Sequence, residues 1–487
     1  MPTTRRLIVF YFFSAMFTAV NLYLLYKGFN WFTAAPVALV IAMLFFFSLD
    51  KLILLLVFLT PLSVAYENQA LGFTIDMPTE PLYVAIMLLF FFRLVYERSY
   101  DTRILKHPIS ILLILSLIWM FVTSVTSEIP LVSFKYFISR LWFVVTFFFV
   151  GISLYRDQQN FQRFFWLFGI SLVVVVLIAL FRHSQFGFER KIGYWVVQPF
   201  FNDHTHYSAV LALILPFFGV MAFNKSSGFW QRGVALAFFG ILAMGILFSY
   251  SRAAWVSLIF AFAGLFILVL RLKFRMMLAG AILIISTMFA FQTEILMRLQ
   301  KNTQESSGEF SEHARSISNI TSDASNLERI NRWRSAIRMY EERPVFGWGP
   351  GTYQLVYAPF QRSEDYTIIT TNFGDLGNAH SEYLGPLSES GLPGMLLFVL
   401  LALAMLATGV RLYKKAPDRN LRLTALAIVL GMLTYLAHGV MNNFLDTDEA
   451  SVLFWSMMAM LVAIDVFYMK DQTAGTLNTL TAGRSNN

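Results

Sequence analysis

Residues 162–181, QRFFWLFGISLVVVVLIALF, carry no ionisable group after Arg163. A helix needs ~17–25 predominantly apolar residues to cross a ~30 Å hydrocarbon layer, so this stretch reads as a transmembrane span. Runs of the same kind, bounded by charge, Pro or Gly, precede it at 7–26, 31–48, 51–66, 81–97, 109–126 and 136–154. Others follow at 205–223, 231–249, 253–270, 276–291, 394–410, 421–438 and 450–468. The fold expected is an all-α polytopic membrane protein with about 14 transmembrane helices, or 12–14 if the second and third runs, parted only by Asp50 and Lys51, pair as a hairpin or re-entrant segment.

Composition agrees. The 487 residues are 57% hydrophobic and 14% charged, with a mean hydropathy of +0.61, whereas soluble domains run near ~45–50% apolar and ~25% charged. So little charge cannot cover a water-facing surface. The absence of cysteine excludes a disulfide framework, cysteine-ligated metal and thiol nucleophiles. The net charge of +8 would suggest nucleic acid in a soluble chain, but here the position of each charge matters more, and no nucleic-acid partner is expected.

The first run follows Arg5 and Arg6 but is too long for a signal-peptide core, so it reads as an uncleaved anchor. Cytoplasmic loops collect Lys and Arg. With the N-terminus inside, the short outer segments hold only Lys27, Lys135, Arg140, Arg182, Arg190, Lys191 and Arg252, and both termini fall on the cytoplasmic side. The organisation expected is N-terminal spans over 1–291, one large outer loop over 292–393, C-terminal spans over 394–468 and a cytoplasmic tail over 469–487. A loop of that length is functional or disordered. Lys301 to Asn326 is polar and short of large apolar residues, and is expected to be mobile. From Leu327 to Tyr340, Leu327, Ile330, Trp333, Ile337 and Tyr340 are spaced as one helical face, predicting an amphipathic helix near the membrane surface. Pro344 ends it, and Gly347, Gly349 and Gly351 supply tight turns.

Ionisable groups at membrane level are functional candidates. Arg252, in YSRAAW, lies at an outer mouth, where it either snorkels to headgroups or clamps phosphate through its bidentate guanidinium. Arg140, inside its span, is a weaker case of the same kind. The arginines of the loop helix, Arg329, Arg332, Arg334 and Arg338, pose the same choice. His380 precedes a span, with Glu382 and Glu389 close by, and is either structural or a proton acceptor. Asp203, His204 and His206, in NDHTHY, lack the further ligands a metal needs, so no metal site is expected. The glycine run lacks the Lys-Ser/Thr of a phosphate loop. His438 and Asp465, near helix ends, read as structural.

Four motifs together resemble the O-antigen ligase and polymerase superfamily of bacterial envelope glycosyltransferases. They are YSRAAW, the Arg-x3-Trp-x2-Ala of RINRWRSA, the Pro-x2-Gly-x-Gly of PVFGWGPG, and HSEYLGPLSESG, in that order over residues 205–440. The resemblance implies a glycosyltransferase-C-like helical fold in the bacterial inner membrane. It also implies transfer of a glycan from an undecaprenyl-diphosphate carrier to an acceptor hydroxyl at the periplasmic face, inverting, with no cofactor or metal. Membrane lipids and a glycan or lipid acceptor are the other partners implied. By position, His380 matches the essential histidine, and Arg252 and Arg329 match the arginines expected on the donor diphosphate. Arg332, Arg140, Glu382, Glu389, Gly347, Gly349 and Gly351 would support them, one glutamate by setting the imidazole tautomer and the glycines by close backbone approach to sugar or carrier. His380 is followed by Ser where many relatives carry Asn. The rival readings are a transporter or flippase, which would show repeated halves with interrupted helices, a symmetry not visible here, and a non-catalytic scaffold. The motifs leave ligase, polymerase and protein glycosylation all open.

Overall fold

The computed structural model describes residues 2–29, 31–68, 73–271, 324–366, 370 and 377–469. The run expected at 276–291, nearly all of the stretch expected to be mobile, and the C-terminal tail lie outside the described residues. Residues 1–56 form one compact unit and 57–487 another.

The first unit contains α1 (Pro2–Tyr26) and α2 (Ala35–Phe47), and α3 (Leu49–Leu59) begins in it. The first expected run, 7–26, lies within the 25 residues of α1, and the second appears as an apolar helical stretch shorter than a full span, Phe32–Phe47. The third run, 51–66, is corrected. At 11 residues and about 1.5 Å per residue, α3 reaches roughly half the hydrocarbon thickness. The chain then leaves it through a turn, Thr60–Leu62, into a hairpin of β1 (Val64–Asn68) and β2 (Phe73–Met77), with Val64 opposite Met77.

Ten helices among the described residues are long and apolar enough to span. They are α4 (Thr79–Glu97), α5 (Pro108–Val125), α6 (Pro130–Leu154), α7 (Gln159–Ser184), α8 (His204–Ala222), α9 (Phe229–Phe248), α10 (Arg252–Val269), and, after the loop helix α11 (Ala324–Glu342), α12 (Leu384–Lys415), α13 (Arg419–His438) and α14 (Asp448–Tyr468). Their starts follow capping rules. Pro108 and Pro130 stand in the first turns of α5 and α6. Asp203 accepts from the backbone N–H of Thr205 and His206 to open α8, at 2.6 and 2.9 Å. Asp418 does the same for α13 through Asn420 and Leu421.

The centre of the second unit is α14, buried along Asp448–Ala463, as a helix apolar all round must be. It packs on α6 where that helix widens into a π-helical stretch, Val144–Val150. Around this pair, α13 packs against α8, α10 and α12, while α12 also packs against α5 and α11. The helix α12 begins ahead of the expected run 394–410 and kinks at Gly391, whose φ is 68°.

Candidate functional site

The loop helix α11 differs from its expected face. Its buried stripe is Glu328, Asn331, Arg332, Ser335, Ala336 and Met339, while Ile337 is exposed. A polar stripe can be buried because each member is hydrogen-bonded. Arg332 Nε donates to Glu328 at 2.9 Å, Asn331 donates to Gln361 at 2.7 Å, and Ser335 donates to the Asn331 carbonyl at 2.9 Å. The stripe rests on a small core of Ala336, Met339, Tyr353, Tyr357 and Ala379. Two of its arginines are structural ties. Arg334 and Arg338 both pair with Asp365, and Arg338 also donates to the Phe360 carbonyl at 2.7 Å. Asp365 is pushed up by burial, but these two ion pairs outweigh that and leave its carboxyl below the ordinary value.

Ala379 leads directly to His380, which is half-buried with a φ of 47°. Its amide donates to the Asn378 side chain at 3.0 Å, and its carbonyl accepts from Trp333 Nε1 at 3.3 Å. Arg332 Nη1 donates to the Asn378 carbonyl at 3.3 Å, so α11 grips this segment from both sides of the histidine. Arg332, Arg329 and Asp203 are the charges that reach the imidazole. Burial first, then Arg332 and Arg329, push its pKa down to about 3, with Asp203 opposing. Arg329 is also an electrostatic neighbour of His204 and His438. The structure thus gathers His380, Arg329 and Arg332 with Asp203, His204 and His438. The helices α8, α9 and α10 run up and down through short turns, so Arg252, half-buried, opens α10 at the same end of the bundle where His204 opens α8.

The other expected supporters hold the frame. Glu382 accepts on one oxygen from Tyr435 Oη at 2.5 Å, Phe444 N at 2.7 Å and Leu445 N at 3.0 Å. Burial raises its pKa, partly offset by the Tyr435 hydrogen bond and Arg140. Glu389 accepts from Tyr353 N at 3.1 Å, and its carbonyl accepts from Gly349 N at 2.8 Å. The three glycines all have positive φ, as tight turns demand, but the close approach they permit is to the chain itself. A Cβ on Gly347 would lie 2.4 Å from the Glu389 carbonyl carbon, and one on Gly349 would lie 1.9 Å from Ser127 Oγ. The glycine turn is therefore a clasp between α12 and the end of α5.

A cavity of about 590 Å³ adjoins the His380 segment, which contributes Asn378, Ala379, Ser381 and Glu382 to its wall. Its lining combines the polar side chains of Arg140, Asp446, Asn443, Gln354 and Lys135 with the apolar ones of Leu113, Leu117, Met120, Leu397, Phe398 and Leu401. Arg140 is buried there over Tyr136 and Trp455, donating to the Leu445 carbonyl and Tyr136 Oη, each at 2.8 Å. This cavity was not legible in the sequence, because its wall joins helices and loops from distant positions.

The two histidines of NDHTHY diverge. His204 lies 4.3 Å from the Tyr194 ring, while His206 Nε2 meets Thr447 Oγ1 at 2.8 Å. Among the described residues, the group whose ligand atoms converge within 4.8 Å is Asp76, Glu80 and Asp448, held by Thr79 and by the Asp76 amide. Asp465 is a structural tie, paired with Arg411 at 2.6 Å and His107 at 3.1 Å.

Residues 234–399 match a family model described as O-Antigen ligase. The segment includes Arg252, Arg329, the glycine turn, His380 and Glu389, so the resemblance read from the motifs holds over this part of the chain. An uncharacterized protein of Haemophilus influenzae is 25% identical over 132 residues, 27% of this chain and 32% of the relative. The match thus spans about a third of that relative's length. The chain is a multi-pass membrane protein carrying an O-antigen ligase-type segment.

Proposed function

We propose that this protein transfers a glycan from an undecaprenyl-diphosphate-linked donor to an acceptor hydroxyl at the periplasmic face of the bacterial inner membrane. The observation that carries the reading is the meeting of His380 with the permanent cations Arg329 and Arg332 at one end of the helix bundle. In the reaction, the acceptor oxygen bonds to the anomeric carbon as the bond from that carbon to the diphosphate oxygen breaks, and the electron pair leaves with the lipid diphosphate. The acceptor proton passes to a ring nitrogen of His380, and the single in-line displacement inverts the anomeric centre. Arg329 and Arg252 hold the departing diphosphate, since fixed cations at a partly dehydrated mouth stabilise developing charge without reorganising. Arg332 positions the His380 segment. The cavity beside that segment suits the acceptor, because an in-line displacement brings the nucleophile from the side away from the leaving group. The two outer arms, 1–291 and 394–468, serve as the membrane scaffold of the loop over 292–393.

The test is mass spectrometry of glycolipids in cells lacking the protein, complemented with wild type, His380→Ala or Arg252→Lys. Both variants are expected to accumulate donor as the deletion does, the second because lysine keeps the charge but loses the bidentate fork. Full complementation by Arg252→Lys overturns the diphosphate clamp. Capped single repeats in the deletion assign a polymerase, and long unattached chains on the carrier assign a ligase.

A further inference from the structure

One buried group at this end of the bundle is left unexplained by the reaction. His438, the last residue of α13, is 1% exposed, and neither ring nitrogen has a hydrogen-bond partner. An imidazole carries an N–H to donate and a lone pair to fill, or two N–H groups when protonated. Burying it with both unmade is costly, and such groups are rare in native folds. Of the other described histidines, His107 meets Asp465 at 3.1 Å and the Ile109 amide at 3.2 Å, His183 meets the Glu189 carbonyl at 2.9 Å, and His206 meets Thr447 Oγ1 at 2.8 Å through Nε2 while its Nδ1 has no partner. The charges that reach His438 are Arg329, Asp203 and His206. Its ring stands edge-on to Phe444 at 5.6 Å, and Phe444 stacks on His206 at 5.3 Å, which fixes the plane of the imidazole. The Asn442 amide nitrogen, in the turn whose backbone N–H bonds to the His438 carbonyl at 3.2 Å, is likewise buried without a partner.

We propose that His438 is a second imidazole of the donor site, hydrogen-bonding the glycosyl diphosphate that Arg329 holds. The inference rests on the lipid-diphosphate reading above. A glycosyl diphosphate supplies both complements: anionic oxygens accept the imidazole N–H, and sugar hydroxyls donate to its lone pair. Arg329 supplies the charge, and His438 supplies the directional bonds.

The experiment measures binding of geranylgeranyl diphosphate to the purified full-length protein in nanodiscs, for wild type, Arg329→Ala, His438→Phe and His438→Gln, with unfolding midpoints taken without ligand. Phenylalanine fills the space and removes the unmade polar atoms, so His438→Phe is expected to unfold at or above the wild-type midpoint while binding about tenfold more weakly. Glutamine, which keeps one donor and one acceptor, is expected to recover part of the loss. Binding by His438→Phe within twofold of wild type overturns the inference alone. A lowered midpoint with unchanged binding also overturns it, making the histidine structural. If wild type and Arg329→Ala bind equally poorly, the lipid-diphosphate reading falls and His438 falls with it.

Discussion

Two buried polar neighbourhoods meet near the His380 segment, and their carboxylates and imidazoles are bonded differently. On the carboxylate side, Glu382 takes three hydrogen bonds on one oxygen and Glu389 ties the glycine turn to α12. On the histidine side, both nitrogens of His438 and one of His206 lack partners. A saturated polar network fixes backbone and costs dearly to break, whereas unmade bonds mark where an incoming molecule has something to offer. On the proposed reading the first neighbourhood frames the site and the second receives the donor. Residue type does not reveal which is which, since glutamates beside a histidine look catalytic and a histidine at a helix end looks structural.

The sharpest way to break this contrast is Glu382→Ala. It strands the Tyr435 hydroxyl and two backbone amides in a buried site, and is expected to cost about 3–5 kcal/mol of stability. A calorimetric or denaturant titration showing a loss within about 1 kcal/mol would contradict a framing role. Acidity is the next lever. Because burial, Arg332 and Arg329 push the His380 pKa down to about 3, the folded protein keeps this imidazole neutral where the unfolded chain, near its ordinary 6.5, takes up a proton. The unfolded state therefore binds more protons over that window, and stability is expected to fall as pH drops from about 6.5 toward about 3. His380→Gln is expected to flatten the slope, and an unchanged slope would locate the titration elsewhere. The same logic separates two rate profiles. Free-enzyme kcat/KM is expected to lack an acid limb near 6.5, while kcat, reporting the complex, shifts its limb upward as the bound diphosphate offsets the arginines. Coincident limbs would mean that no anion binds beside His380. The smallest effect belongs to Arg334→Ala. Its side chain is 55% exposed, and Arg338 keeps the Asp365 pair, so stability is expected to change by less than about 1 kcal/mol with transfer unaltered. A large loss of transfer would return this arginine to the site.

The membrane architecture was legible because long apolar runs leave few alternatives: ten of the expected runs are helices of spanning length. Residues 51–66 misled because hydropathy is blind to shape, and a short helix, a turn and a strand can be as apolar as one span. The glycine turn was legible because only glycine adopts positive φ cheaply, yet its partner proved to be Glu389 and Ser127. The loop helix was placed correctly, but its apolar face is not the face it buries. Periodicity weighs side chains by hydrophobicity, while Asn331 and Arg332 are buried by virtue of Gln361, Glu328 and Asn378, some of them far along the chain. Arg329 is among the charges that reach His380, a proximity that the motif order alone does not specify. His438 and the cavity wall could not be seen, because nothing local in sequence tells whether a ring nitrogen finds a partner.

The most direct test of the account uses proteoliposomes of the full chain loaded with an undecaprenyl-diphosphate-linked glycan and a candidate acceptor, following free undecaprenyl diphosphate and glycosylated acceptor together. Wild type is expected to release the two in equal amounts, and His380→Ala to release both at least about 100-fold more slowly while folding normally. Equal release by His380→Ala and wild type would contradict the account at its centre.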